Sequence, residues 1–241
     1  MKIEVWSDFV CPFCYIGKRR LEMALEQFPH RDQVEVIFKS FELDPNVETD
    51  YSVTIDEAIA RKYGISLEQA RQSNESIINQ AASVGLNYDF SQMTPTNTFR
   101  AHRLAKYAEK QGKLMEMTER LLKAHFENGE RIDEVDTLVQ IAGEVGFEQS
   151  DVQKVLESNQ FTNEVRNDET EAQLLGVQGV PFFVINRKYA ISGAQPLEVF
   201  VSALQKVWEE EHGTTQLQSF GTDEVANCTA DGCAIPEKDN N

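Results

Sequence analysis

The sequence predicts an α/β fold in which a β-rich frame is interrupted by a large all-helical insertion and followed by a flexible C-terminal tail. Three observations carry this. The first forty residues alternate between strand and helix patterns. The stretch from 44 to 175 is dominated by Leu, Ala, Glu and Lys at helical spacing, and β-branched and aromatic runs return only after Gly176. The expected boundaries are 1–43 with 176–212 for the frame, 44–175 for the insertion and 213–241 for the tail.

Residues 2–6 (Lys2, Ile3, Glu4, Val5, Trp6) alternate apolar and polar, a short strand. Cys11-Pro12-Phe13-Cys14 then opens a helix. Pro12 suits its first position, where a missing N–H costs nothing and φ is already helical. Leu21, Ala24, Leu25 and Phe28 form one apolar face, and Pro29 ends the helix. Val34 to Phe38 make a second strand, so the opening is a βαβ unit with parallel strands. In the insertion, Ala101, Leu104, Ala105 and Ala108 mark one helix face, and Leu114, Met117, Leu121 and Leu122 mark another. Residues 181–185 and 189–191 read as a hairpin turning at Asn186-Arg187-Lys188. A last helix starts near Pro196, with Leu197, Phe200, Val201 and Leu204 inward, and Trp6 and Trp208 are expected in the core.

The 241 residues suit one large domain or one domain with an insertion. With 41% hydrophobic and 26% charged residues the chain is globular in composition, and no run of 18 apolar residues offers a membrane span. The N-terminus lacks the apolar core of a signal peptide, so a cytoplasmic location is expected. A net charge of −17 disfavours nucleic acid and anionic membrane as partners. That charge is uneven. Residues 1–40 hold six acids and six bases, whereas 44–175 hold 24 acids and 13 bases. The neutral stretch contains the chemistry.

Four cysteines fall into two close pairs, Cys11/Cys14 and Cys228/Cys233. In a reducing compartment such pairs point to catalysis or metal binding before structural staples. Cys11 at the N-cap and Cys14 at the third helical position have sulfurs on one side of the first turn, within reach of a disulfide. The partial positive charge and unpaired N–H groups of a helix N-terminus favour a thiolate at Cys11. Cys11 is therefore the attacking sulfur, expected to be open to solvent, and Cys14 the resolving one. Phe13 between them adds neither charge nor hydrogen bond. Half of a zinc site, a structural disulfide and simple packing compete with this reading. Zinc needs four ligands, and His30, His102, His125 and His212 show no paired spacing with Cys11 and Cys14.

Four stretches carry a family resemblance: SDFVCPFCYIGKRRLE from Ser7, NTFRAHRL from Asn97, LLKAHFENGERI from Leu121 and GVQGVPFFVINRKYAISGAQP from Gly176. In this order, over residues 1 to about 205, the chain resembles the DsbA-like branch of the thioredoxin superfamily, specifically its FrnE-type cytosolic members. The resemblance implies a thioredoxin fold with a helical insertion, and a cis peptide bond before Pro181. It also implies that the Pro181 loop packs beside the CxxC, where backbone groups of Val180 pair with an extended substrate. Pro12, Phe13, Val180 and Pro181 are the substrate-binding residues on this reading. Relatives often carry Trp at the position of Phe13, so this departure bears on potential and substrate preference. Some FrnE-type relatives use a C-x4-C tail pair as an auxiliary dithiol, here Cys228 and Cys233.

The expected function is thiol–disulfide oxidoreduction with thiol- or disulfide-containing proteins or small thiols as partners, no bound cofactor and no metal. A homodimer is left open. Two other functions stay in play. One is a glutathione-dependent isomerase or transferase of the 2-hydroxychromene-2-carboxylate isomerase or kappa-class kind, whose first Cys position is Ser. The other is a redox-sensing, chaperone-like binder. His102 and Arg103 are read as surface or interhelical hydrogen-bonding residues, and Asp8 as a turn residue or a proton relay to Cys14.

Overall fold

The computed structural model describes residues 1–213 and the strand segments 227–229 and 232–234. Strand β1 (Lys2–Ser7) pairs parallel with β2 (Glu35–Ser40) across helix α1 (Pro12–Gln27), as the βαβ pattern requires. After the insertion, β3 (Phe182–Ile185) pairs antiparallel with β1 on its other side, and β4 (Tyr189–Ser192) pairs antiparallel with β3. The sheet order is β2-β1-β3-β4. The hairpin turns through Asn186 and Arg187, both left-handed at φ 51° and 56°, and the Lys188 amide closes on the Ile185 carbonyl at 3.0 Å.

The period-two pattern of β1 sorts its side chains to two layers. Ile3 and Val5 pack with Leu21, Phe183, Phe200 and Leu204, between α1 and the final helix α9 (Leu197–His212). Trp6 packs the opposite way, against Ala172, Val177 and Val184. Trp208 is not in the core but at its rim. It stacks between the imidazoles of His30 and His212, with ring centroids 4.0 and 3.7 Å away.

Seven helices lie between β2 and β3: α2 (Ile55–Tyr63), α3 (Leu67–Ala82), α4 (Phe99–Lys110), α5 (Leu114–Phe126), α6 (Val135–Glu144), α7 (Gln149–Glu157) and α8 (Thr162–Leu174). Reciprocal capping boxes start two of them, Thr54 with Glu57 and Ser66 with Gln69. Ala101, Leu104, Met117, Leu121 and Leu122 are all fully buried in one helical core. That core takes in Tyr15 and Ile16 of α1, so the first turns of α1 belong to the insertion and its later turns to the sheet. Helix α8 falls within the 44–175 span but packs on the sheet. The Trp6 indole donates to the Asp168 carbonyl at 2.9 Å, and the Asp168 carboxylate accepts the Ser40 amide at 2.9 Å. Among the described residues no helix is long and apolar enough to cross a membrane.

The tail expected from residue 213 lies outside the described residues, apart from β5 (Asn227–Thr229) and β6 (Gly232–Ala234). These pair antiparallel with Cys228 opposite Cys233 in register. Their side chains lie outside the description.

Candidate active site

Cys11 is the N-cap of α1, with extended backbone angles of −89° and 111°, and Pro12 opens the helix. The Cys14 amide donates to the Cys11 carbonyl at 2.9 Å, which closes the first turn and brings both thiols to one side. Both are free and both are buried. The sequence predicts an open Cys11, yet only 4% of its surface is exposed. The cause lies far along the chain: the Cys11 thiol donates to the Val180 carbonyl at 3.4 Å, so the loop before β3 covers it. The Val180–Pro181 peptide bond is cis. Pro12 is half-buried, and Phe13 is 37% exposed beside the pair.

Gly17, which the sequence reading passed over, lets the loop come this close. A Cβ at Gly17 would stand 3.0 Å from Pro181 Cγ and 3.1 Å from Phe183 Cζ, contacts that force a shift. A glycine inside an otherwise helical run was the available signal.

The insertion holds the helix start. Tyr88 donates to the Pro12 carbonyl at 2.7 Å, and Tyr15 donates to Glu119 of α5 at 2.6 Å. Lys18, almost fully buried, bonds Glu119 and also Glu22 at 2.6 Å, while Arg19 bonds Glu119 at 2.6 Å. Burial would raise the Glu119 carboxyl, but Lys18, Tyr15 and Arg19 outweigh it and hold it below the usual carboxylate range.

Cys14 sits deeper. Burial pushes its thiol well above the ordinary cysteine value, and the neighbouring Cys11 sulfur pushes the same way. The Ser7 hydroxyl and the Asp8 amide, 3.4 Å from Cys14 Sγ, act in the opposite sense. Asp8 is itself buried. Its carboxylate accepts the Leu43 amide at 2.7 Å and meets His102 Nε2 at 3.3 Å. His102 is thus buried, neither a surface residue nor an interhelical one, and joins α4 to the loop between β1 and α1. Arg103 turns away from the site. It donates to the carbonyls of Val155 at 2.5 Å, Gln160 at 2.7 Å and Ser158, capping the end of α7.

This arrangement can exchange sulfur bonds: a thiol at a helix N-terminus, a second thiol one turn on, and the Val180–Pro181 loop alongside. A four-stranded mixed sheet, a helix starting at a Cys-x-x-Cys pair and a cis-proline loop against it define a thioredoxin-like protein. The chain belongs to the DSBA-like thioredoxin domain family, whose model matches residues 2–205. It is similar to the crystal structure of a probable DsbA oxidoreductase from Streptomyces coelicolor, with 38% identity and a TM-score of 0.83, covering 98% of this chain and all of that one. It is 27% identical over 204 residues to the uncharacterized protein YwbO of Bacillus subtilis, covering 84% of this chain and 94% of that protein. The cytosolic disulfide reductase DsbM of Pseudomonas aeruginosa, solved with GSH, shares the fold at 15% identity and a TM-score of 0.60, covering 87% of this chain and all of that one.

Proposed function

We propose that the chain is a thiol–disulfide oxidoreductase of the FrnE type, acting in the cytoplasm on protein or small-molecule thiols and disulfides. Cys11 attacks one sulfur of a substrate disulfide, forms a mixed disulfide and releases the other sulfur as thiolate. Cys14 then attacks the Cys11 sulfur, expels the second thiolate and leaves a Cys11–Cys14 disulfide, so the substrate gains two electrons and the protein loses two. The reverse sequence oxidises a dithiol, and the ambient thiol poise selects the direction. Both reactive groups belong to the chain, so the exchange itself draws on no cofactor.

One observation carries this reading: the Cys11 sulfur lies at the helix N-terminus 3.4 Å from the Val180 carbonyl, with Cys14 buried one turn behind it. A substrate strand pairing with Val180 takes over that carbonyl, which frees the thiol and aligns the incoming sulfur with it. Phe13 offers apolar contact beside the opening. Cys228 and Cys233 serve in this reading as an auxiliary dithiol. Its support is their opposed register, since directly opposed residues of an antiparallel pair have Cα atoms about 4.5–5.5 Å apart, within the span of a disulfide.

Reduction of insulin by the full chain, with a dithiol as electron source, tests the proposal. Turnover that is lost in Cys11→Ser supports it. Saturable glutathione binding together with isomerase or transferase activity that survives Cys11→Ser would replace it.

A further inference from the structure

The end of β1, whose Ser7 hydroxyl lies beside Cys14, meets α4 and α5. Ser7, His102, Lys106 and Thr118 line a small cavity there, together with the apolar Phe9 and Phe38. Its volume is about 10 Å³, the room that one water molecule needs. Two of the lining groups are buried hydroxyls, Ser7 Oγ and Thr118 Oγ1, and neither has a hydrogen-bond partner of good geometry among the described residues. Buried polar groups are rarely left so, and two of them lining one small cavity are what a bridging water satisfies. Ser7 also lies close enough to Cys14 to lower that thiol's pKa. On the far side of the cavity His102 is tied by Nε2 to the Asp8 carboxylate at 3.3 Å, and the Asp8 amide returns to Cys14 Sγ at 3.4 Å. Cys14, Ser7, the cavity, His102 and Asp8 thus form a closed ring behind the buried sulfur.

We propose that the cavity takes one water, and that Ser7, this water and His102 carry the proton that Cys14 gives up when it attacks the mixed disulfide. The inference rests on the thiol–disulfide reading above. Cys14 passes its proton to Ser7 Oγ as the Ser7 hydroxyl proton moves to the water and a water proton moves to His102, where the Asp8 carboxylate pairs with it. The Cys14 sulfur bonds Cys11 Sγ, and the Cys11–substrate bond breaks with its electron pair leaving on the substrate thiolate, which takes a proton from solvent. Reduction of the Cys11–Cys14 disulfide returns the stored proton by the same route. A side chain from the insertion thereby serves a sulfur of the frame. The titratable groups facing this ring are Cys11 from the loop, Lys39 from β2, Glu42 just after it, His102 and Lys106 from α4, His125 from α5, Tyr88 from the segment before α4, and Asp168 of α8, which pairs with Lys106 and Lys39.

The test uses the reduced full chain carrying Cys228→Ser and Cys233→Ser, mixed with a chromogenic aromatic disulfide in a stopped-flow instrument. The first aromatic thiolate released reports Cys11 attack and the second reports Cys14. Ser7→Ala is expected to slow the second phase relative to the first by about tenfold or more, and to move its pH midpoint upward. Ser7→Thr, which keeps the hydroxyl, is expected to restore both, and His102→Gln to slow the same phase. A second phase of unaltered ratio and pH midpoint in Ser7→Ala overturns the proposal, as does equal slowing of both phases. A parent chain that shows a first phase but no second refutes the resolving role of Cys14 itself, which separates failure of the functional reading from failure of the proton path.

Discussion

Gly17 and Pro181 meet across 164 residues of sequence in a contact that even a methyl group would crowd: a Cβ on Gly17 would lie 3.0 Å from Pro181 Cγ. Helix α1 therefore supplies both the cysteines and the smooth surface on which the Val180–Pro181 loop rests. In an ordinary helix interior Gly→Ala is stabilising by about 0.5–1 kcal/mol. At position 17 the crowding against Pro181 and Phe183 costs more, about 1–3 kcal/mol. Gly17→Ala is expected to be destabilised by about 1 kcal/mol net and Gly17→Val by more, measured by urea unfolding. A more stable Gly17→Ala would show that the loop yields freely.

His125 gives a pH signature. Burial lowers its folded-state pKa to about 4 from an ordinary 6.5, partly offset by Asp8 and Asp133. The unfolded chain binds that proton below pH 6.5 and the folded chain does not until about pH 4. Stability from this residue is therefore complete above pH 6.5 and is lost as the pH falls towards 4, by roughly 3 kcal/mol. Unfolding free energies of the parent and of His125→Gln, compared from pH 7 to pH 4, are expected to differ by a pH-dependent term of this sign. Parallel profiles contradict it.

Arg103 holds the end of α7 by its guanidinium alone, through carbonyls of Val155, Ser158 and Gln160. Arg103→Met removes the charged donor from these carbonyls; Val155 keeps the Ser158 amide and hydroxyl, while Ser158 and Gln160 lose their guanidinium bonds, at a cost of about 1–3 kcal/mol in all. The melting temperature is expected to fall by several degrees while Cys11 alkylation in the folded state keeps its rate. Loss of thiol reactivity without loss of stability would place Arg103 in the site instead.

The tail pair is tested by replacing both of its cysteines. Cys228→Ser with Cys233→Ser is expected to alter steady-state disulfide turnover while leaving the circular dichroism spectrum and melting temperature unchanged. Identical reductase and oxidase rates remove the auxiliary role.

The frame was legible because its signals are local. Period-two strands at β1 and β3, Pro12 at a helix start and the Asn186-Arg187 turn each act over a few residues, and the observed elements agree with them. Contacts between distant segments left no such mark. The helical pattern of 162–174 says that a helix forms but not that Asp168 and Ala172 face the sheet. Trp208 has the composition of a core residue, yet two imidazoles at the helix ends hold it at the rim. The two cysteines were evident from spacing, whereas the cover over Cys11 depends on Val180, 169 residues away, and the Asp8–His102 pair joins residues 94 apart.

Peptide mapping of the mixed disulfide tests the central claim most directly. The Cys14→Ser chain, mixed with an oxidised protein substrate, is expected to accumulate a stable one-to-one adduct whose disulfide maps to Cys11, while the Cys11→Ser chain forms none. An adduct on Cys14 in the Cys11→Ser chain at the same rate, or no adduct on Cys11 at all, contradicts the assignment of Cys11 as the attacking sulfur.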